Sequence, residues 1–156
     1  MDTDDTRSAP ARIELVGTPR LRLEGDVAHA LERKDAALLA LLALEGPTPR
    51  ARAAGLLWPG VDDEAARNNL RQRLHRLRKR AGRELVVTRH DVLQLAADVA
   101  LDVAGAPSGA TAFPGDGGAI GELLGTFTYD DCGELDEWVL AARTRHRSAQ
   151  IGRAHV

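Results

Sequence analysis

The sequence predicts an α+β fold: a small antiparallel sheet at the N-terminal end, three helices, a β-hairpin and a further helical segment. Three observations predict it. Apolar and polar residues alternate through "RIELVG" and "RLRLEG". The period then changes, and Leu and Ala recur at helical spacing through "RKDAALLALLALEG" and "EAARNNLRQRLHRLRKRAG". Alternation returns in "ELVVTRHDVLQL". Period 2 marks half-buried strands and period 3.6 marks amphipathic helices.

The elements follow in order. Residues 1–11 are polar and acidic and are expected to be a disordered tail. Ile13 and Leu15, then Leu21 and Leu23, are the inward positions of two strands, with the turn at Gly17 to Pro19. A third short strand is expected around Asp26 to Leu31. Leu38, Leu39, Leu41, Leu42 and Leu44 cover most of the circumference of the first helix, so it should be central and buried. Gly46 and Pro47 stop it. "RARAAGLLWPG" reads as a short second helix that ends at Pro59 and Gly60, with Leu56, Leu57 and Trp58 inward. The third helix spans residues 64–81. Asp62 or Asp63 caps its start and Gly82 closes it. The hairpin over 85–95 turns near Arg89 to Asp91, with Val87 and Leu93 on its buried face. Residues 105–121 are rich in Gly, Ala and Pro and read as a connection. "GELDEWVLAARTRHRSAQ" reads as a last helix with Leu135, Trp138 and Val139 as its apolar contacts.

Composition narrows the function classes. Aromatic residues make up 3% of the chain, so its core must be built from Leu, Val and Ala. A single cysteine, Cys132, excludes a disulfide framework and suits a reducing cytoplasm. The start lacks the basic-then-apolar pattern of a signal peptide. The longest apolar run, Ala36 to Leu44, is about half of the ~20 residues a membrane helix needs. These features predict a cytoplasmic protein with no membrane partner. The formal net charge is only -2, yet charge is segregated. Arg67 to Arg83 holds seven arginines, one lysine and no acid, whereas Phe113 to Glu137 holds seven acids and no Lys or Arg. Segregation of this kind concerns partners rather than fold, and the basic part wants a polyanion.

The basic helix has a defined outer face. At ~100 degrees per residue, Leu74 and Leu77 fall within roughly 40 degrees of Leu70, and the three form one stripe. Asn68, Gln72, His75 and Lys79 lie opposite, flanked by Arg71, Arg76 and Asn69. The leucines therefore anchor the helix and turn a specific polar face outward. Arg can read guanine with two hydrogen bonds, and Asn or Gln can read adenine the same way. The expected base readers are Asn68, Arg71, Gln72, His75 and Arg76. Arg67, Asn69, Arg73, Arg78, Lys79 and Arg80 are the expected phosphate contacts on that helix. A solvated face would more commonly mix Glu with Lys at i,i+4 spacing. Two other readings remain: the face binds an acidic protein, or it binds the acidic C-terminal part of this chain. A helix, a turn, a basic helix and a hairpin in succession favour DNA, as the order of a winged helix-turn-helix.

"RKDAALLALLALEG", "LLWPG", "EAARNNLRQRLHRLRKRAG" and "ELVVTRHDVLQL" together resemble the N-terminal winged-helix domain of the bacterial transcriptional activator family, the group around the antibiotic regulatory proteins of actinomycetes. The resemblance covers roughly residues 12–104 and implies an OmpR-type winged helix. "GELLGTFTYDDCGELDEWVLAARTRH" resembles the entry to the helical activation domain that follows in that family, here residues 122–156. There it continues for several more helices, similar to tetratricopeptide repeats; here it stops after one. The resemblance implies the same groove-facing set in the third helix. It also implies phosphate roles for Arg89 and His90 in the hairpin, binding to direct repeats, contact with RNA polymerase, and a homodimer. Two departures stand out. Ala53 and Gly55 occupy a helix where relatives have Leu, and "RHDVLQL" stands where many relatives have a Gly-Tyr pair.

Other signals are set aside. "GDGGAIG" matches neither G-x-G-x-x-G nor a P-loop. The five histidines lack metal-ligand spacing. Acids around Cys132 should raise its thiol pKa, which argues against a nucleophile. "DDCGELDE" lacks the EF-hand glycine and spacing. No enzyme activity, cofactor or metal is expected. The expected function is a sequence-specific double-stranded DNA-binding transcriptional regulator, with residues 64–81 in the major groove and 85–95 on the backbone. The alternative is a winged-helix protein–protein module with an acidic partner.

Overall fold

The computed structural model of the chain describes residues 11–23, 28–102, 111–112 and 121–154. The expected tail, save Ala11, and most of the Gly/Ala/Pro-rich connection lie outside the described residues. The architecture is α+β, with four helices and two small sheets among them.

The first two strands fall where alternation puts them. β1 (Arg12–Glu14) and β2 (Arg20–Arg22) are antiparallel, with Ile13 facing Leu21 in register, and both side chains are fully buried. β3 (Ala28–Ala30) extends this sheet beyond β2. Asp26, the expected start of that strand, lies outside the described residues. On the other side of β1 the chain returns 87 residues later. β7 (Ala100–Leu101) runs parallel to β1, and the Asp102 carboxylate accepts from the N–H groups of Leu15 at 2.8 Å and Val16 at 3.1 Å. Burial pushes the Asp102 pKa up, against the downward pull of these two donors. β8 (Thr111–Ala112) adds a second parallel partner beyond β7. Neither β7 nor β8 was expected. Ala11, the last residue of the expected tail, is buried, and its carbonyl accepts from the Ala100 N–H at 2.9 Å.

Helix α1 (Arg33–Glu45) is buried from Asp35 to Ala43 without a break, as its all-round leucines require. After Gly46, β4 (Thr48–Pro49) forms a second, unexpected short strand that pairs with the later hairpin. α2 (Arg50–Leu57) follows and buries Ala53, Ala54, Leu56 and Leu57. Ala53 thus does core work despite its size. α3 (Asp63–Ala81) starts one residue before the expected boundary. Asp62 caps it, its carboxylate accepting from the Ala65 N–H at 2.8 Å. Gly82 ends it at φ +73, a left-handed conformation that costs a residue without Cβ little, and its N–H donates to the Arg78 carbonyl at 2.8 Å.

β5 (Val86–Arg89) and β6 (Val92–Leu95) form the expected hairpin. His90 and Asp91 both have positive φ, which a two-residue turn matched to strand twist demands at both centres. The buried face differs from expectation in one residue. Cross-strand partners share a face, and Val86 pairs with Leu95 and Thr88 with Leu93, while Val87 pairs with Gln94 on the opposite face. Two adjacent valines leave the register open to sequence alone.

The C-terminal residues share this core. Leu123, Leu124, Tyr129, Cys132, Leu135, Val139 and Ala142 belong to one buried cluster with Ile13, Leu15 and the α1 leucines. Gly17 N–H donates to the Glu122 carbonyl at 2.8 Å, and Leu124 N–H to the Leu15 carbonyl at 2.6 Å. The approach is so close that a Cβ on Gly125 would sit 2.7 Å from the Gly17 carbonyl oxygen. α4 (Gly133–Ala154) carries Leu135 and Val139 inward as expected. Trp138 is half-buried and donates from Nε1 to Glu45 at 2.6 Å. No helix among the described residues is long and apolar enough to cross a membrane.

Candidate nucleic-acid interface

α3 is held on one side by apolar packing. Ala66, Leu70 and Leu77 are buried and Leu74 is half-buried, so the leucine stripe faces the core. α2 packs against α3, and the turn from Trp58 to Asp62 joins them. The opposite face is open. Asn68, Arg71, Gln72, His75 and Arg76, the expected base readers, are all exposed. So are Arg67, Arg78, Lys79 and Arg80, and at the hairpin turn Arg89 and His90. Asn69 is half-buried. The strand leading to that turn lies beside α3, because Arg71, His75 and Arg78 line one cavity with Val86 and Thr88.

Arg73 is placed differently from its neighbours. It is half-buried and turned back toward α1, where it forms an ion pair with Glu32 and lies 3.7 Å from Asp35. Its hydrogen bond to Glu32 is the first cause holding that carboxyl below its ordinary pKa, with Arg80 and Arg76 adding smaller Coulombic pulls. Burial raises the pKa of Asp35, and Arg73 opposes that rise. Glu32 sits at the α1 N-cap without capping it, since its carboxylate is engaged by Arg73. The arginine expected to meet phosphate is thus occupied within the molecule. Arg80 is intermediate: it is exposed, yet its guanidinium donates to the Ala30 carbonyl at 3.3 Å.

The other arginines sort by location. Arg22 pairs with Glu14, Arg33 with Asp131, Arg50 with Asp91, Arg52 with Glu45, Arg83 with Asp98 and Arg147 with Glu122. Among the described residues no ion pair engages Arg67, Arg71, Arg76, Arg78, Lys79 or Arg89. Nor does any ion pair join α3 to the described side chains of residues 121–148, so the acids from Glu122 to Glu137 do not neutralise the basic face. Two of these carboxylates are used elsewhere, Asp131 by Arg33 and Glu122 by Arg147. Asp131 takes both guanidinium nitrogens of Arg33, at 2.7 and 2.9 Å, which holds its pKa far below the carboxylate range. Within α3 the exposed acids are Asp63 and Glu64 in the first turn, where they suit the helix dipole; Asp62 precedes it and Glu84 lies beyond its end.

Cys132 is buried and its thiol donates to the Leu57 carbonyl at 3.5 Å. Its pKa is raised as expected, with burial rather than the neighbouring acids as the main cause. No group of metal-ligating side chains occurs among the described residues. Sequence reasoning missed the opening between α3 and β5. The available signal was Leu74, at the edge of the leucine stripe, facing a strand whose inward residues, Val86 and Thr88, are short. No family model, curated protein or solved structure matches the chain.

Proposed function

We propose that the chain is a sequence-specific double-stranded DNA-binding transcriptional regulator built as a winged helix. α3 enters the major groove and the β5–β6 hairpin lies on the adjacent backbone. One observation carries this reading: cations left without an internal carboxylate collect on the outer face of α3 and at the hairpin turn, while Arg22, Arg33, Arg50, Arg52, Arg83 and Arg147 are each paired with a carboxylate. A surface that needs only solubility has no reason to withhold counter-charges from one helix. A polyanion supplies them from outside, and exposed Asn68 and Gln72 add hydrogen-bonding groups suited to base edges. Arg73 is excluded from the interface by its engagement with Glu32 and Asp35. By resemblance to the bacterial transcriptional activator family, the site is a direct repeat and RNA polymerase is a further partner.

The test is selection from a randomised duplex pool at near-physiological salt, followed by sequencing. A short enriched motif, repeated directly at helical spacing, is the expected result. Retention without enrichment reduces the chain to an electrostatic binder. No retention at low salt overturns the proposal and leaves the basic face to an acidic protein partner.

A further inference from the structure

α3 and β5 do not close on one another. Between them lies a cavity of about 210 Å³. Leu74, Leu77, Leu85 and Val86 give it an apolar floor, and Arg71, His75 and Arg78 supply cations around it. Leu77 and Leu85 are buried, while the three basic side chains are exposed. Thr88, opposite Leu93 in the hairpin, is too short to fill the space. Glu84 is the one acid in the lining, and among the described residues it forms no ion pair with the three cations.

Two features in combination define a ligand. Unpaired cations call for an anion. The cavity-facing side of that floor has no packing partner, and it forfeits dispersion contacts that an apolar body would restore. The volume sets the size, since a cavity of about 150 Å³ lined by apolar side chains holds benzene. We propose that this cavity binds a small amphipathic anion, a carboxylate on an apolar body of about one aromatic ring, and that its occupancy excludes DNA. The carboxylate meets Arg71 and Arg78, and the ring lies on the four apolar side chains. A nucleic-acid phosphate supplies the charge without the apolar body, so it leaves the floor uncovered. The exclusion follows because Arg71 and His75 are shared with the groove-facing set, and this half of the inference rests on the DNA reading.

Methyl NMR of the whole chain tests the site without DNA. Benzoate, benzyl alcohol and inorganic phosphate are titrated separately. The expected result is saturable shifts of the Leu74, Leu77, Leu85 and Val86 methyls with benzoate alone. Thr88→Phe fills the cavity and abolishes the response while methyls elsewhere keep their positions. Arg78→Gln weakens the benzoate response and serves if the first variant fails to fold. No saturable shift, or an equal response to benzyl alcohol or to phosphate, overturns the site. Duplex binding is then measured in sodium benzoate against sodium chloride of equal ionic strength. At ten times its own Kd, benzoate raises the duplex Kd about eleven-fold by mass action, and in Thr88→Phe the duplex Kd, whatever its value in chloride, no longer changes with benzoate. An unchanged duplex Kd overturns the exclusion. Absence of duplex binding without benzoate defeats the DNA reading, and the methyl titration still decides the cavity.

Discussion

Gln72 and Arg78 occupy one helix and, on the proposed function, differ in what each offers a duplex. Gln72 is a neutral group with paired donor and acceptor, opposite the leucine stripe; Arg78 is a cation nearer the helix edge. Gln72→Ala is expected to relax preference at one base pair, at a cost of about 1–3 kcal/mol on the preferred duplex. Arg78→Ala is expected to weaken binding to every duplex alike and to lower the log–log salt slope by about 0.9. Equal losses from both variants on all duplexes would defeat this division. Arg73→Ala separates structure from interface. It strands the buried Asp35 beside a partnerless Glu32, so thermal or urea unfolding should show a loss of roughly 1–3 kcal/mol. The salt slope should stay as in the parent chain, because Arg73 already has its counter-charge. A reduced slope would return Arg73 to the phosphate contacts.

Helix ends were legible because caps are local chemistry. Asp62 and Gly82 sit one residue outside α3, and each does there what its type suggests. Gly82→Ala forces a Cβ into a left-handed conformation and should destabilise the chain by about 1–2 kcal/mol. The midpoint of urea unfolding should fall without a change in slope; an unchanged midpoint would mean that the last turn of α3 carries no stability. Strands were legible only where they alternate over several residues. β4 and β7 are two residues each, too short for a period. The pairing of β1 with β7 is fixed by Asp102, whose partners stand 87 and 86 residues away. No local pattern encodes such a contact. The outer face of α3 was legible from its leucine spacing, but the inward turn of Arg73 was not, since it depends on carboxylates from another element. Val87 faces away from Leu93 yet is half-buried against the core, because a Val-Val pair puts one valine on each face of the hairpin.

One core unites the N-terminal sheet, the three central helices and α4. Trp58 follows α2 and Trp138 lies in α4, so they report from different parts of it. In Trp58→Phe and Trp138→Phe variants, the remaining tryptophan should report the same cooperative urea transition once each variant's stability is allowed for. Separate transitions would show that residues 121–154 unfold independently. The junction between these parts has a pH signature. Asp131 has its pKa lowered by Arg33, so the unfolded chain takes up the proton first as pH falls. The stability from this pair is fully present above the unfolded carboxylate value, about pH 4, and is lost as pH falls through the folded one. Asp35 and Asp102 act with opposite sign. Burial raises their folded pKa values, so their contribution is full below the unfolded value and is lost as pH rises through the folded one. Asp131→Asn should therefore flatten the acid side of a stability–pH curve and leave the neutral side with its parental slope. A parental acid limb in the variant would remove the pair from the account.

Synthesis of the chain is vectorial, and the bond from Leu15 to Asp102 sets a schedule for it. At ~5–20 residues per second, the 87 residues between them take the ribosome roughly 4–17 s. During that interval β1 has β2 beside it and nothing on its other edge. The leucines of α1 have emerged by then, but the strand that seals the sheet has not. An unpaired edge next to apolar surface is what chaperones recognise. A ribosome paused between α3 and β7 would therefore hold the basic helix already made while the sheet beneath it is still open.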